Sequence, residues 1–116
     1  MIILGDNMYL TIGKNKYKIK KATSFLKRLK GLIGETNIDY GMLFPNCNSI
    51  HTFFMKEPID IVGLDENNEV IYKHQNLVSN QIIHVNNPQN KTSILELPNN
   101  ASKKIKLNSI LLFEDE

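Results

Sequence analysis

The chain of 116 residues has one cysteine, Cys47, and no tryptophan. A single cysteine excludes an intrachain disulfide, which favours a reducing compartment. The apolar start, Met1 to Leu4, is interrupted by Gly5 before it reaches the length of the apolar core of a signal peptide. No later apolar run approaches the length of a membrane span. The sequence therefore predicts a cytoplasmic protein that does not enter a membrane.

An excess of charge of either sign is also missing, because the formal net charge is only +2. Nucleic-acid binders concentrate basic residues on one surface. The one basic stretch, Lys14 to Lys30, begins with lysines at every second position, which is typical of the water-facing side of a strand. We therefore expect no nucleic acid as a partner.

Apolar residues make up 41% of the chain, an ordinary value for a globular protein, and the length suits a single domain over residues 1–116. The apolar spacing between Ser24 and Gly34 predicts one main helix, and Asn99 to Lys106 reads as a short second helix. Alternating apolar residues predict seven or eight short strands. They include residues 9–12, 17–19, 42–44, 50–55, 59–64, 70–72, 93–97 and 109–113. The predicted fold class is α+β, mostly antiparallel β, in a small, partly open barrel or sandwich.

Three motifs follow one another in the middle of the chain: Gly41-Met42-Leu43-Phe44, Ile50-His51-Thr52-Phe53-Phe54-Met55 and Pro58-Ile59-Asp60-Ile61. In this order they strongly resemble a prokaryotic family known as domain of unknown function 192. The resemblance covers about Ala22 to Phe113 and includes the later Leu-Glu-Leu strand at 95–97. Because that family has no established reaction or ligand, the resemblance implies a fold and site positions but no activity.

Four ionisable residues share a face with apolar neighbours and form the candidate binding cluster: Arg28, His51, Asp60 and Glu96. Strand alternation gives the last three this environment, and helical spacing places Arg28 at the margin of the apolar stripe. Burying an unpaired carboxylate is costly, so we expect Asp60 and Glu96 to find donors in Arg28 and His51.

The leading functional interpretation is a non-enzymatic binding or accessory domain without a cofactor, whose cluster holds a small polar ligand or a protein partner. A purely structural ion network is the simpler alternative. The enzymatic alternative is a small hydrolase that uses His51 with Asp60 or Glu96, and Cys47 as a nucleophile. One cysteine and three scattered histidines are a poor ligand set, so we expect no metal site, and we expect a monomer.

Overall fold

The computed structural model describes residues 7–22, 31–87 and 91–115. Strands hold 49% of these residues and helical turns 4%, so the prediction of a mostly-β protein is confirmed. The strands in the described ranges are β1 (Asn7–Ile12), β2 (Asn15–Lys21), β3 (Gly41–Phe44), β4 (Ser49–His51), β5 (Ile59–Leu64), β6 (Val70–Leu77), β7 (Ile82–His84), β8 (Ser93–Pro98) and β9 (Phe113–Asp115). A 3-10 helix covers Ala101–Lys104.

Seven strands form one sheet in the order β6-β5-β8-β3-β2-β1-β9. Neighbouring strands are antiparallel, except that β2 and β3 are parallel. The strands predicted at residues 9–12 and 17–19 are present as β1 and β2, and they form an antiparallel hairpin. The strand pairing ends at Ile12↔Asn15, which leaves a two-residue turn. The favoured two-residue hairpin turns need a positive φ at their first residue, and Gly13 has φ +61°.

The core lies on both faces of this sheet, because successive residues of a strand point to opposite faces. Along β8, Leu95 and Leu97 belong to one buried cluster, and Ile94 belongs to the other. We call the two sides the Leu95 face and the Ile94 face. The 3-10 helix packs on the Leu95 face through Ala101, and Ile105 follows it there.

Strands β4 and β7 form a separate two-stranded ribbon on the Ile94 face. The central pair, Ile50↔Ile83, packs against the Ile94 cluster. The neighbouring residues of both strands therefore point away from the core, and the structure exposes His51, Ile82 and His84 on this outer side.

The predicted fold class is wrong about the main helix, because no helix of seven or more residues occurs in the described ranges. Residues 31–34 form a turn in which Gly31 and Gly34 have φ of +51° and +80°. These left-handed values do not fit a right-handed helix, so the apolar spacing wrongly predicts helix at residues 31–34. The remainder of the predicted helix, residues 23–30, lies outside the described residues. The short second helix is a single 3-10 turn.

The predicted barrel or sandwich is also wrong, because the sheet is open. The chain before β9 approaches the edge strand β6 through one isolated bridge, Glu69↔Ile110, and the N–H of Val70 donates to the carbonyl of Ser109. In the described residues, the strand pairing between this segment and β6 does not extend beyond the isolated bridge. Nor is any helix in this part of the structure long and apolar enough to cross a membrane.

Candidate functional site

Asp60 is completely buried in β5 and points to the Leu95 face. Its Oδ1 accepts hydrogen bonds from the N–H groups of Asn76 and Asn100, at 2.9 and 3.0 Å. Its Oδ2 accepts from the N–H and the hydroxyl of Ser102, at 2.8 and 2.6 Å. Four donors replace the water that a buried carboxylate loses. Asp60 thereby connects β5 with β6 and with the 3-10 helix.

Glu96 is buried in β8, where it points to the Ile94 face and pairs with Met42 of β3 and Ile61 of β5. The backbone N–H of Leu32 donates to its carboxyl group, but Oε1 has no hydrogen-bond partner in the described part of the chain. Burial raises the pKa of Glu96 from an ordinary value near 4.5 to about 7, and the Leu32 bond offsets only part of this effect. Glu96 is thus a buried acid that is largely protonated below neutral pH.

The turn at residues 31–34 lies directly over Glu96. A Cβ atom added to Gly31 would sit 3.1 Å from Oε1 of Glu96 and 3.0 Å from Cζ of Phe44. The close approach, together with φ of +51°, accounts for glycine at position 31. The turn lies against this carboxyl group, and Glu96 is only 4% exposed.

The structure does not bring the four candidate residues into one cluster. Asp60 and Glu96 lie on adjacent strands but point to opposite faces of the sheet. His51 is exposed at the end of β4, where its Nδ1 accepts from the N–H of Phe53 at 3.3 Å and its ring stacks on that phenyl ring. Arg28 lies outside the described residues, so its contact with a carboxylate stays a prediction.

Cys47 lies beside an open groove of about 380 Å³. The groove is lined by Asn46, Cys47, Asn48, Asn87, Lys91 and Thr92. The thiol donates to the carbonyl of Ser49 at 3.2 Å, and among the described contacts it does not meet His51. No three His, Cys, Asp or Glu side chains group closely enough to hold a metal ion within the described ranges.

Thr52 is the residue that the sequence analysis missed. It is completely buried between the ribbon and the loop that leads into β7. Its hydroxyl donates to the carbonyl of Val78 at 2.8 Å and accepts from the N–H of Gln81 at 2.9 Å. Its own N–H donates to the carbonyl of Gln81, and its carbonyl accepts from the N–H groups of Asn80 and Met55. The side chain and the backbone of Thr52 together connect the two loops.

These two loops and the first residue of β7 carry four exposed apolar side chains, which we call the Phe54 surface: Phe53 (37% exposed), Phe54 (81%), Val78 (52%) and Ile82 (68%). Phe54 adopts φ +66°, a left-handed conformation that bulky residues rarely take. Such strain persists only where surrounding contacts impose it, and it is common at binding sites. The sequence shows two adjacent phenylalanines here, and strand alternation would expose only one of the two rings.

Comparison with known proteins agrees with the motifs in the sequence. The model of the family DUF192, described as "Uncharacterized ACR", matches residues 8–109. The chain belongs to this family. The match extends the resemblance seen in the motifs toward the start of the chain, so that it also includes the β1–β2 hairpin.

Two curated relatives of this DUF192 chain are UPF0127 proteins from Thermococcus sibiricus and Thermococcus kodakarensis. Each is 38% identical over 60 residues, which is 47% of this chain. The match spans only 39% and 38% of the relatives' own lengths, respectively. Neither name assigns a ligand or a reaction.

Two solved structures share the fold. A protein from Sinorhizobium meliloti 1021, named as a proposed transcription regulator, superposes with a TM-score of 0.72 at 17% identity, covering 99% of this chain and 97% of that one. A protein of unknown function from Novosphingobium aromaticivorans DSM 12444 superposes with a TM-score of 0.67 at 18% identity, covering 95% and 83%. At these identities the likeness shows the fold alone.

The four hydrogen bonds to Asp60 predict a large loss of stability in Asp60→Asn. The amide presents an N–H₂ group to donors, so at least one buried donor loses its acceptor, and we expect the free energy of unfolding to fall by about 3 kcal/mol. The matched control is Asp65→Asn. Its carboxylate caps a half-exposed turn, accepting from Asn67 and Glu69, so we expect a change below about 1 kcal/mol. Urea titration followed by circular dichroism measures both. Equal effects of the two substitutions would contradict the structural role of Asp60.

The raised pKa of Glu96 predicts that the free energy of unfolding falls as the pH rises. Below about pH 4.5 both the folded and the unfolded chain hold the proton, whereas between 4.5 and 7 only the folded chain does. The free energy of unfolding therefore falls by about 3 kcal/mol across this window, because the unfolded chain releases the proton and the folded chain keeps it, and the loss is complete above pH 7.

The measurement is the difference in unfolding free energy between wild type and Glu96→Gln at several pH values. The difference should change across pH 4.5 to 7 and then stay constant. The exposed Glu114→Gln serves as the control and should track the wild type. If the two substitutions give parallel curves, Glu96 does not titrate as a buried acid.

Proposed function

We propose that this DUF192 domain is a non-enzymatic binding domain that recognises a protein partner through the Phe54 surface. The observation that carries the proposal is the way this surface is built. The hydrogen bonds of a buried threonine connect two loops, and four apolar side chains on these loops and at the start of β7 face solvent. Pre-organised apolar side chains reduce the entropy that binding must overcome.

The energetics of these side chains support binding rather than folding as their role. Fully burying one large apolar side chain stabilises a protein by about 1.5–3 kcal/mol. The isolated chain does not gain this free energy at Phe54 and Ile82, because both side chains are exposed. Exposed apolar residues that occur singly need no explanation, but a set of four on two linked loops and the start of β7 is typical of an interaction surface. Aromatic side chains frequently dominate the binding energy of such surfaces.

The ionisable residues favour binding over hydrolysis. The carboxylate of Asp60 is occupied by four donors, and Glu96 is covered by the turn at Gly31. The thiol of Cys47 donates to a backbone carbonyl, and Nδ1 of His51 is engaged by Phe53. A hydrolase needs a base within reach of its nucleophile beside an open cleft, and these contacts do not provide one.

In vivo photo-cross-linking tests the proposal. The photoreactive residue p-benzoylphenylalanine is placed at position 54 or, as the matched control, at position 112, where Leu112 is 78% exposed outside the Phe54 surface. We expect a discrete protein adduct from position 54 in cells of the organism that makes the protein. Adding Ile82→Ser should reduce its yield, because the partner loses an apolar contact.

The control position makes the result interpretable. An adduct of equal yield from position 112 would indicate non-specific contact and contradict the proposal. The absence of any adduct from position 54 in the folded protein would also contradict it.

A further inference from the structure

The outer edge of β7 has backbone groups without a partner. The N–H of Thr52 donates to the carbonyl of Gln81, and the N–H of Val85 donates to the carbonyl of Asn48. In an antiparallel pair, only every second pair of opposite residues exchanges backbone hydrogen bonds. The N–H and C=O groups of Ile82 and His84 belong to the pairs between, and they point away from β4. Throughout the described ranges no donor or acceptor meets them.

A third strand added at this edge would lie beside the outer side of the ribbon. Its alternate side chains would be neighbours of Ile82 and His84, and they would extend the same surface. The edge strand β7 is only three residues long, which limits pairing with another chain, but it carries no proline or lysine, two residues that also discourage such pairing.

The charge in the segments that form the Phe54 surface is positive. The segments 49–56 and 78–84 contain no aspartate or glutamate, and Lys56 is their one side chain that is charged at neutral pH. The nearest carboxylate in sequence, Glu57, accepts from the N–H of Ile38 at 3.2 Å. A partner with acidic side chains is therefore complementary to this surface.

Together these observations point to one class of ligand. We propose that the partner contributes an extended acidic segment, which adds as a third strand to the free edge of β7 and places an apolar side chain on the Phe54 surface. This inference rests on the proposed function and names the partner's chemistry. Main-chain hydrogen bonds would supply affinity, and alternate side chains would supply specificity.

The probe is a random-sequence peptide library displayed on phage and selected against the folded domain. We expect selected peptides to carry an excess of aspartate and glutamate next to an apolar residue. With a synthetic copy of a selected peptide, fluorescence polarisation should show affinity lowered about ten-fold by Phe54→Ser or Lys56→Glu. The control Leu112→Ser should leave it unchanged.

Methylating single backbone nitrogens of the peptide tests strand addition itself. Only every second N–H of an added strand faces β7, so we expect affinity to fall at alternate positions and to be kept at the positions between them. A partner bound as a helix, or by side chains alone, would not give this period of two.

The outcomes separate this inference from the proposed function. If position 54 cross-links to a folded protein but no Phe54-dependent peptide is selected, the binding role stands and the extended segment is wrong. Basic peptides, or methylation effects without the alternation, also overturn the inference. If position 54 gives no adduct at all, the proposed function fails first.

Discussion

Thr52, through its hydroxyl and its backbone groups, is the residue on which the candidate recognition surface depends. The loop at residues 78–81 and the turn at residues 52–55 have no strand pairing with each other beyond the short ribbon. Through Thr52, the carbonyl of Val78 and the N–H of Gln81 receive partners inside the protein. A buried, fully bonded hydroxyl is compatible with one arrangement of its partners, which gives the exposed apolar side chains a fixed geometry.

The two buried acids show how similar sequence environments lead to different chemistry. Asp60 and Glu96 each alternate with aliphatic residues along a strand. Asp60 meets four donors where the 3-10 helix and β6 approach β5, and it becomes a structural anchor. Glu96 meets one backbone N–H under a tight turn, so its proton is retained toward neutral pH.

Much of the β structure could be predicted because local pattern and final structure agree. The β1–β2 hairpin, β5 and β8 follow apolar alternation and the Gly-containing turn. Alternation along one strand does not give its pairing with the next strand. The register Ile61↔Glu96 places Asp60 and Glu96 on opposite faces, and no local signal contains that information.

The segment from Ile50 to Met55 shows where non-local contacts override local pattern. Its β-branched and aromatic residues predict a continuous strand, but β4 ends at His51. Hydrogen bonds from Thr52 to residues far along the chain turn the backbone, and Phe54 then adopts φ +66°. Cooperation between distant segments of this kind is invisible in a single sequence.

Hydrogen exchange in Thr52→Val tests the central claim most directly. Valine keeps the shape of threonine and removes the hydroxyl that accepts from the N–H of Gln81. We expect the amide of Gln81, which loses its acceptor, to exchange about ten-fold faster, whereas amides in β8 and those in the control Thr11→Val, at an exposed position, keep their protection. Unchanged exchange at Gln81 in a folded Thr52→Val protein would show that the hydroxyl of Thr52 does not help to hold the two loops together, and it would contradict this account of the binding surface.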